Sequence, residues 1–265
     1  MKPKSILTRT ASVLAVLLAA LFSGACSSFP LPRDPAPPLR VGFTPNYPPI
    51  CMETDGLPAG LEFDLANALA RELGRPLELV ECRWQELIDA QLSGQTDILM
   101  AGLTATPARS ARLRFCTPYM VNPLVAMCRA GEPAASVGAD ELLQTTANIG
   151  VMARTSAEAF AKHHFPHARV IGLSDRSDAA INLMNRRIDY YIDDFAAIEY
   201  IISENESQLA FLPYPLQGQN LCWAVRPDQD ELRRQCDETI ARWKKSGELA
   251  RMLDRWLPSY KDLVR

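Results

Sequence analysis

The sequence predicts an α/β fold made of two similar halves. Strand and helix patterns alternate along the chain, and the alternation runs twice, each time over roughly 100 residues. The composition agrees with packed structure: of 265 residues, 48% are hydrophobic and 22% charged, with 13 Gly and 20 Pro. That balance excludes collagen-like, low-complexity and wholly disordered chains, and the length suffices for one large core or two modest ones.

The first half opens with a short strand at Leu39-Arg40-Val41-Gly42-Phe43. A loop at Tyr47-Pro48-Pro49 and a turn at Asp55-Gly56 follow. Glu62 to Leu73 reads as a helix, because Leu65, Leu69 and Leu73 recur every four residues and Gly74 supplies a stop. Leu77 to Cys82 alternates like a strand, Trp84 to Leu92 is a helix ended by Ser93-Gly94, and Asp97 to Ala101 is a short buried strand. The second half repeats this order, with strands at 147–151, 169–172 and 189–192 and helices at 156–163, 179–187 and 195–203. Leu221 to Val225 is a strand. The C-terminal end is helical, with Leu232, Cys236, Ile240 and Trp243 on one face of Glu231 to Lys245, then Glu248 to Trp256.

Residues 1–25 are expected to be a signal peptide. Lys2, Lys4 and Arg9 form a positive n-region, and Ala11 to Phe22 is an apolar run too short to span a bilayer. Leu21-Phe22-Ser23-Gly24-Ala25-Cys26 resembles a bacterial lipobox, with Ser23 where a leucine is usual. The small residues suit ordinary signal peptidase as well; lipidation at Cys26 is the favoured reading, because the cysteine stands at the cut. Residues 26–38 hold five prolines and form an extended tether. Removing residues 1–25 takes three bases and no acid, so the formal charge moves from −3 to −6. Neither value carries the basic footprint of a nucleic-acid binder. Cys51, Cys82, Cys116, Cys128, Cys222 and Cys236 remain, an even set that suggests disulfides in an oxidising compartment, with free buried thiols the alternative.

Several segments fall in an ordered set. They are Leu39-Arg40-Val41-Gly42 with Tyr47-Pro48-Pro49, Gly60-Leu61-Glu62-Phe63-Asp64-Leu65-Ala66, Trp84-x-x-Leu87-Ile88, and Gly102-Leu103-Thr104-Ala105-Thr106-Pro107-Ala108-Arg109. Phe115-Cys116-Thr117-Pro118-Tyr119, Ile149-Gly150-Val151, Asp189 to Asp194, and Ser246-Gly247-Glu248-Leu249 before Trp256 complete it. Over residues 39–257 this resembles family 3 of the bacterial extracellular solute-binding proteins, the polar amino-acid binders of ABC importers. The resemblance implies a type II periplasmic-binding-protein-like fold of two α/β lobes with two hinge crossovers. Lobe 1 is then 39–121 plus 221–265 and lobe 2 is 122–220, with crossings near Tyr119–Asn122 and Gly218–Leu221.

The resemblance also implies a site. An α-amino acid is a zwitterion, and burying it requires a partner for each charge. Arg109 is the fork for the carboxylate, beside a helix start that Thr106 caps and Pro107 suits. Thr155 opens a capping box, Thr155-Ser156-Ala157-Glu158, whose free amides face the same carboxylate. The family usually has Gly-Thr where this chain has Arg154-Thr155, and Arg154 points either at the ligand or at solvent. Asp194 is the ammonium partner, with Asp193 its neighbour and a helix N-cap its alternative role. Tyr47 and Trp84 match aromatic positions that sandwich the ligand side chain, Thr104 a hydroxyl and Gly102 a backbone carbonyl. Thr44 stands where binders of basic amino acids tend to place an aspartate, which weakens lysine, arginine or ornithine as ligand.

The expected function is therefore capture of a free amino acid outside the cytoplasm for ABC-type uptake, as a monomer tethered by lipid and docking on a membrane permease. No cofactor and no metal are expected; His163 and His167 have helical spacing, but Pro166 breaks the turn between them. The alternative is an enzyme, since the fold also resembles periplasmic cyclohexadienyl or arogenate dehydratases, which need a cleft acid; Asp194, Glu62 and Glu81 are the candidates. A sensor module is the third class.

Overall fold

The computed structural model describes residues 36–260 apart from Pro213. The expected signal peptide, Cys26 and most of the expected tether lie outside the described residues. Its last residues are held: Arg75 donates from Nε to the Pro37 carbonyl (2.9 Å) and from Nη2 to that of Pro38 (2.7 Å).

Two five-stranded sheets organise the chain, and their strand orders correspond. The first runs Leu77–Glu81, Leu39–Phe43, Ile98–Leu99, Ala224–Val225, Arg114–Phe115; the second runs Arg169–Leu173, Asn148–Met152, Tyr190–Asp194, Leu124–Arg129, Leu209–Phe211. In each, the first three strands are parallel and the fourth is antiparallel to both neighbours. Alternating helices cover the parallel strands, as right-handed crossovers require. Between the sheets, Met120–Val121 and Asn220–Leu221 pair antiparallel as a two-stranded ribbon.

The sequence dictates most of these elements through burial. Leu61, Leu65 and Leu69 of the helix Leu61–Glu72 are fully buried on the first sheet. That helix ends as the glycine foretells: Gly74 sits at φ 62, its amide donates to Arg71 and the Arg75 amide to Ala70, closing a Schellman turn. Cys236, Ile240 and Trp243 are buried along Asp230–Ser246, with Leu232 packed at the margin of the same core. Two separate apolar clusters line the two faces of the second sheet.

Four details depart from the sequence reading. The helix expected from Trp84 begins at Leu87, and Trp84–Glu86 form a turn instead, with Trp84 packed at the margin of the first core. The strand expected over Leu221–Val225 breaks at Cys222 and Trp223, because Leu221 belongs to the ribbon and Ala224 to the sheet. The helix expected over 179–187 stops at Met184, with Arg186 in the left-handed region (φ 57). All six cysteines from Cys51 to Cys236 are free thiols, so the disulfide expectation is not met; Cys116 and Cys236 lie buried in the same core as neighbours. Among the described residues, no helix is long and apolar enough to cross a membrane.

Candidate functional site

The site residues come from the C-terminal ends of parallel strands and the loops after them, where α/β sheets gather ligands. Asp194 ends the strand Tyr190–Asp194, and its extended backbone starts the helix Phe195–Ser203 without a side-chain cap bond. Its carboxylate is thus free of the capping role. One oxygen, Oδ2, accepts the Tyr47 hydroxyl at 2.5 Å; the other, Oδ1, is buried with no partner. Burial, then the neighbouring Asp193 charge, pushes the Asp194 carboxyl well above the usual aspartate range; the Tyr47 bond, Arg176 and Arg109 oppose this.

Arg109 lies within electrostatic reach of Asp194. It sits in the short helix Pro107–Ser110, which Thr106 caps by accepting the Arg109 amide. Its Nη1 donates to the Thr104 carbonyl (3.0 Å), and its guanidinium lies 5.2 Å from the centre of the Trp84 ring. Burial lowers its affinity for the proton, opposed by Asp194. An anion entering beside Arg109 relieves that cost.

Tyr47 is fully buried, so its ring is not free to stack on a ligand. The Arg176 guanidinium covers one face at 4.0 Å, and the Tyr47 hydroxyl both donates to Asp194 and accepts from Asn122 Nδ2 (2.9 Å). Gly102 makes room for it: at φ 65, a Cβ there would stand 2.5 Å from Tyr47 Cε1. The Gly102 amide donates to Glu62 Oε1 (2.9 Å). Glu62 also accepts from Tyr119 (2.8 Å) and Trp223 (2.9 Å), and burial raises its carboxyl to about 7 against those three donors. Glu62 therefore braces the loop and reaches no solvent. Thr44 is buried nearby in the same half.

The second half meets the first at two further points. Trp84 Nε1 donates to the Arg154 carbonyl (3.1 Å). Thr104 and Ser156 both donate to Gln219 Oε1 at 2.8 Å. Thr155 caps its helix by accepting the Glu158 amide, while its own hydroxyl donates to Met152. The capping box is shifted by one residue, since Glu158 Oε2 accepts from the Arg154 amide rather than from Thr155. Arg154 stands at φ 61, the left-handed slot that glycine fills without strain.

Direct contacts link Thr104, Arg109, Trp84 and Arg154 as one set across the junction, and Gly102, Tyr47 and Asp194 as another. A cavity of about 120 Å³ opens among Trp84, Leu103, Arg109 and Arg154. Sequence reading missed Arg176, Asn122, Gln219 and Ser156. Asn122 and Gln219 flank the expected hinge crossings, which is the signal that could have found them. Arg176 lies in a polar loop, Ser174-Asp175-Arg176-Ser177-Asp178, that carries no such mark.

A family model described as bacterial extracellular solute-binding proteins, family 3, matches residues 39–259. The Escherichia coli K12 protein named ABC transporter arginine-binding protein 1 is 26% identical over 93% of this chain and 98% of its own. A lysine complex from Wolinella succinogenes, titled a putative binding component of an ABC transporter, superposes with a TM-score of 0.79 at 25% identity, covering 86% of this chain and 98% of that one. The cyclohexadienyl dehydratase of Pseudomonas aeruginosa is 24% identical over 83% of this chain and 82% of its own.

Proposed function

Since the chain belongs to family 3 of the bacterial extracellular solute-binding proteins, we propose that it captures a free α-amino acid between its two halves and hands it to the permease of an ABC importer. The observation that carries this reading is the buried, unpartnered Oδ1 of Asp194 within electrostatic reach of Arg109. A buried acceptor without a donor costs roughly 1–3 kcal/mol or more, and an incoming ammonium removes that cost.

In this reading Arg109 and the free amides after Thr155 receive the ligand carboxylate, and Asp194 receives the ammonium. Thr104 fixes Arg109 through its carbonyl, Gly102 and Thr44 shape the floor, and the Trp84 ring walls the side-chain end. Tyr47 acts through its hydroxyl on Asp194. Residues 39–121 with 221–265 form one lobe and 122–220 the other, and the ribbon of Met120–Val121 with Asn220–Leu221 is the hinge. The protein works outside the cytoplasm as a monomer, held at the membrane by a lipid on Cys26 and the proline-rich tether.

A dehydratase reading needs a cleft acid beside Asp194. Glu62 is fully buried under three donors, and Glu81 lies exposed at the end of an edge strand. Prephenate and arogenate are accordingly expected to pass unchanged.

Calorimetry with the free amino acids tests the proposal. At least one binds the unaltered chain, and Arg109→Ala abolishes that binding while the thermal melt persists. Unchanged affinity in the variant, or turnover of prephenate, overturns it.

A further inference from the structure

The place beside Tyr47 where a cationic side chain would stack is already filled by the protein. Arg176 is 3% exposed. It donates from Nε to Asp193 Oδ2 (2.7 Å) and from Nη1 to the Asn46 carbonyl (3.0 Å), and it covers the Tyr47 ring at 4.0 Å. Asp193 is fully engaged as well: Tyr191 donates to the same Oδ2, and the Asp194 amide to Oδ1. The internal pair therefore supplies the guanidinium, the aromatic face and the carboxylate that a basic ligand side chain would otherwise require.

The remaining charges are unequal. Asp194 is the other buried acid at the junction, and the ligand ammonium takes it. Arg109 takes the ligand carboxylate. Arg154 is left over. Its backbone is fixed on three sides, by φ 61, by its amide on Glu158 Oε2 (2.7 Å) and by its carbonyl under Trp84 Nε1 (3.1 Å). Arg154 lines the same cavity as Arg109, Trp84 and Leu103, and no acid lines that cavity. Glu158 pairs with Lys162 at 2.8 Å and lies within electrostatic reach of Arg154, whose own guanidinium makes no ion pair with it. A cavity lined by two arginines and no acid favours a ligand that brings two negative charges.

Resting on the amino-acid-binding reading, we infer that the ligand is a dicarboxylic α-amino acid, with Arg154 as the receptor of its side-chain carboxylate. Arg154 is then a specificity residue that separates acidic from neutral and basic amino acids.

Isosteric pairs test this, because glutamate and glutamine, or aspartate and asparagine, differ chiefly in charge. Calorimetry on the mature chain is expected to show the acid at least tenfold tighter than its amide, with arginine and lysine weakest. Arg154→Gly suits the left-handed backbone and keeps the fold, which a thermal melt checks; in it the acid-to-amide ratio falls to within about threefold of one. Arg154→Lys retains part of the ratio. Tighter binding of an amide, arginine or lysine to the unaltered chain overturns the inference and leaves the amino-acid reading standing, as does an unchanged ratio in Arg154→Gly. No heat with any amino acid overturns the binding reading itself, and this inference with it.

Discussion

Tyr47 donates its hydroxyl to Asp194 across the junction between the two sheets, at 2.5 Å, and leaves the second oxygen of that carboxylate without a partner. The bond does two things. It orients the carboxylate, and it partly offsets the burial that raises the Asp194 carboxyl.

Tyr47→Phe should therefore weaken amino-acid binding by roughly 10–100-fold, the range for a hydrogen bond to a charged group. The pH dependence should move with it. Asp194 is raised in the free protein, and an ammonium lowers it, so binding releases a proton and affinity falls as pH drops through the raised range. In Tyr47→Phe the fall begins at higher pH. Binding heats in buffers of different ionisation enthalpy measure the proton, and heats that do not vary with buffer would refute this account.

Arg176→Ala removes the cation from a pair buried to 4% and 1% side-chain exposure. Asp193 is then a buried charge whose remaining partners are the Tyr191 hydroxyl and the Asp194 amide. Breaking such a pair costs about 3–5 kcal/mol, and urea denaturation should show a loss of that size. Arg176→Met with Asp193→Asn should recover part of it. A loss below about 1 kcal/mol would mean that Asp193 does not depend on Arg176 for its burial.

Glu62→Gln tests the brace under the loop of Gly102. The folded chain binds the Glu62 proton more tightly than the unfolded chain does, since burial raises this carboxyl from 4.5 to about 7. Its contribution to stability is full below the unfolded value and is lost as pH rises through the folded one, by an amount of the order of 3 kcal/mol. Glu62→Gln should flatten the decline between pH 5 and 7.5. It should also lower stability by about 1–3 kcal/mol, because a single amide oxygen cannot serve the three donors from Gly102, Tyr119 and Trp223. Urea midpoints at the two ends of that range give both numbers, and parallel pH curves for the two proteins would rule the brace out.

Much of this fold was legible in the chain because its signals are local. The leucines at 65, 69 and 73, the stop at Gly74 and the face of Cys236, Ile240 and Trp243 each act within a few turns of helix. The strand Leu124–Arg129 went unread despite its apolar run, since continuous burial shows no alternation to mark a strand. Trp84 was read into a helix that starts three residues later, because its side chain is claimed by a backbone carbonyl 70 residues away. Tyr47 was read as a stacking ring. Its actual neighbours, Arg176, Asn122 and Asp194, converge from three separate segments, and nothing near Tyr47 in sequence announces them. Glu62 is another such case, with donors from residues 102, 119 and 223.

The first sheet takes its fourth strand from Ala224–Val225, after the entire second sheet has been threaded. A chain that emerges amino terminus first must therefore leave the first half incomplete while the second half, contiguous from 124 to 211, closes on its own residues. Ile98–Leu99 stays an open edge until that late strand returns. The order of assembly is thus inverted with respect to the order of emergence: the half that appears first is finished last. A protein cut short anywhere before residue 224 would present an uncapped parallel sheet, a surface that invites pairing with other chains.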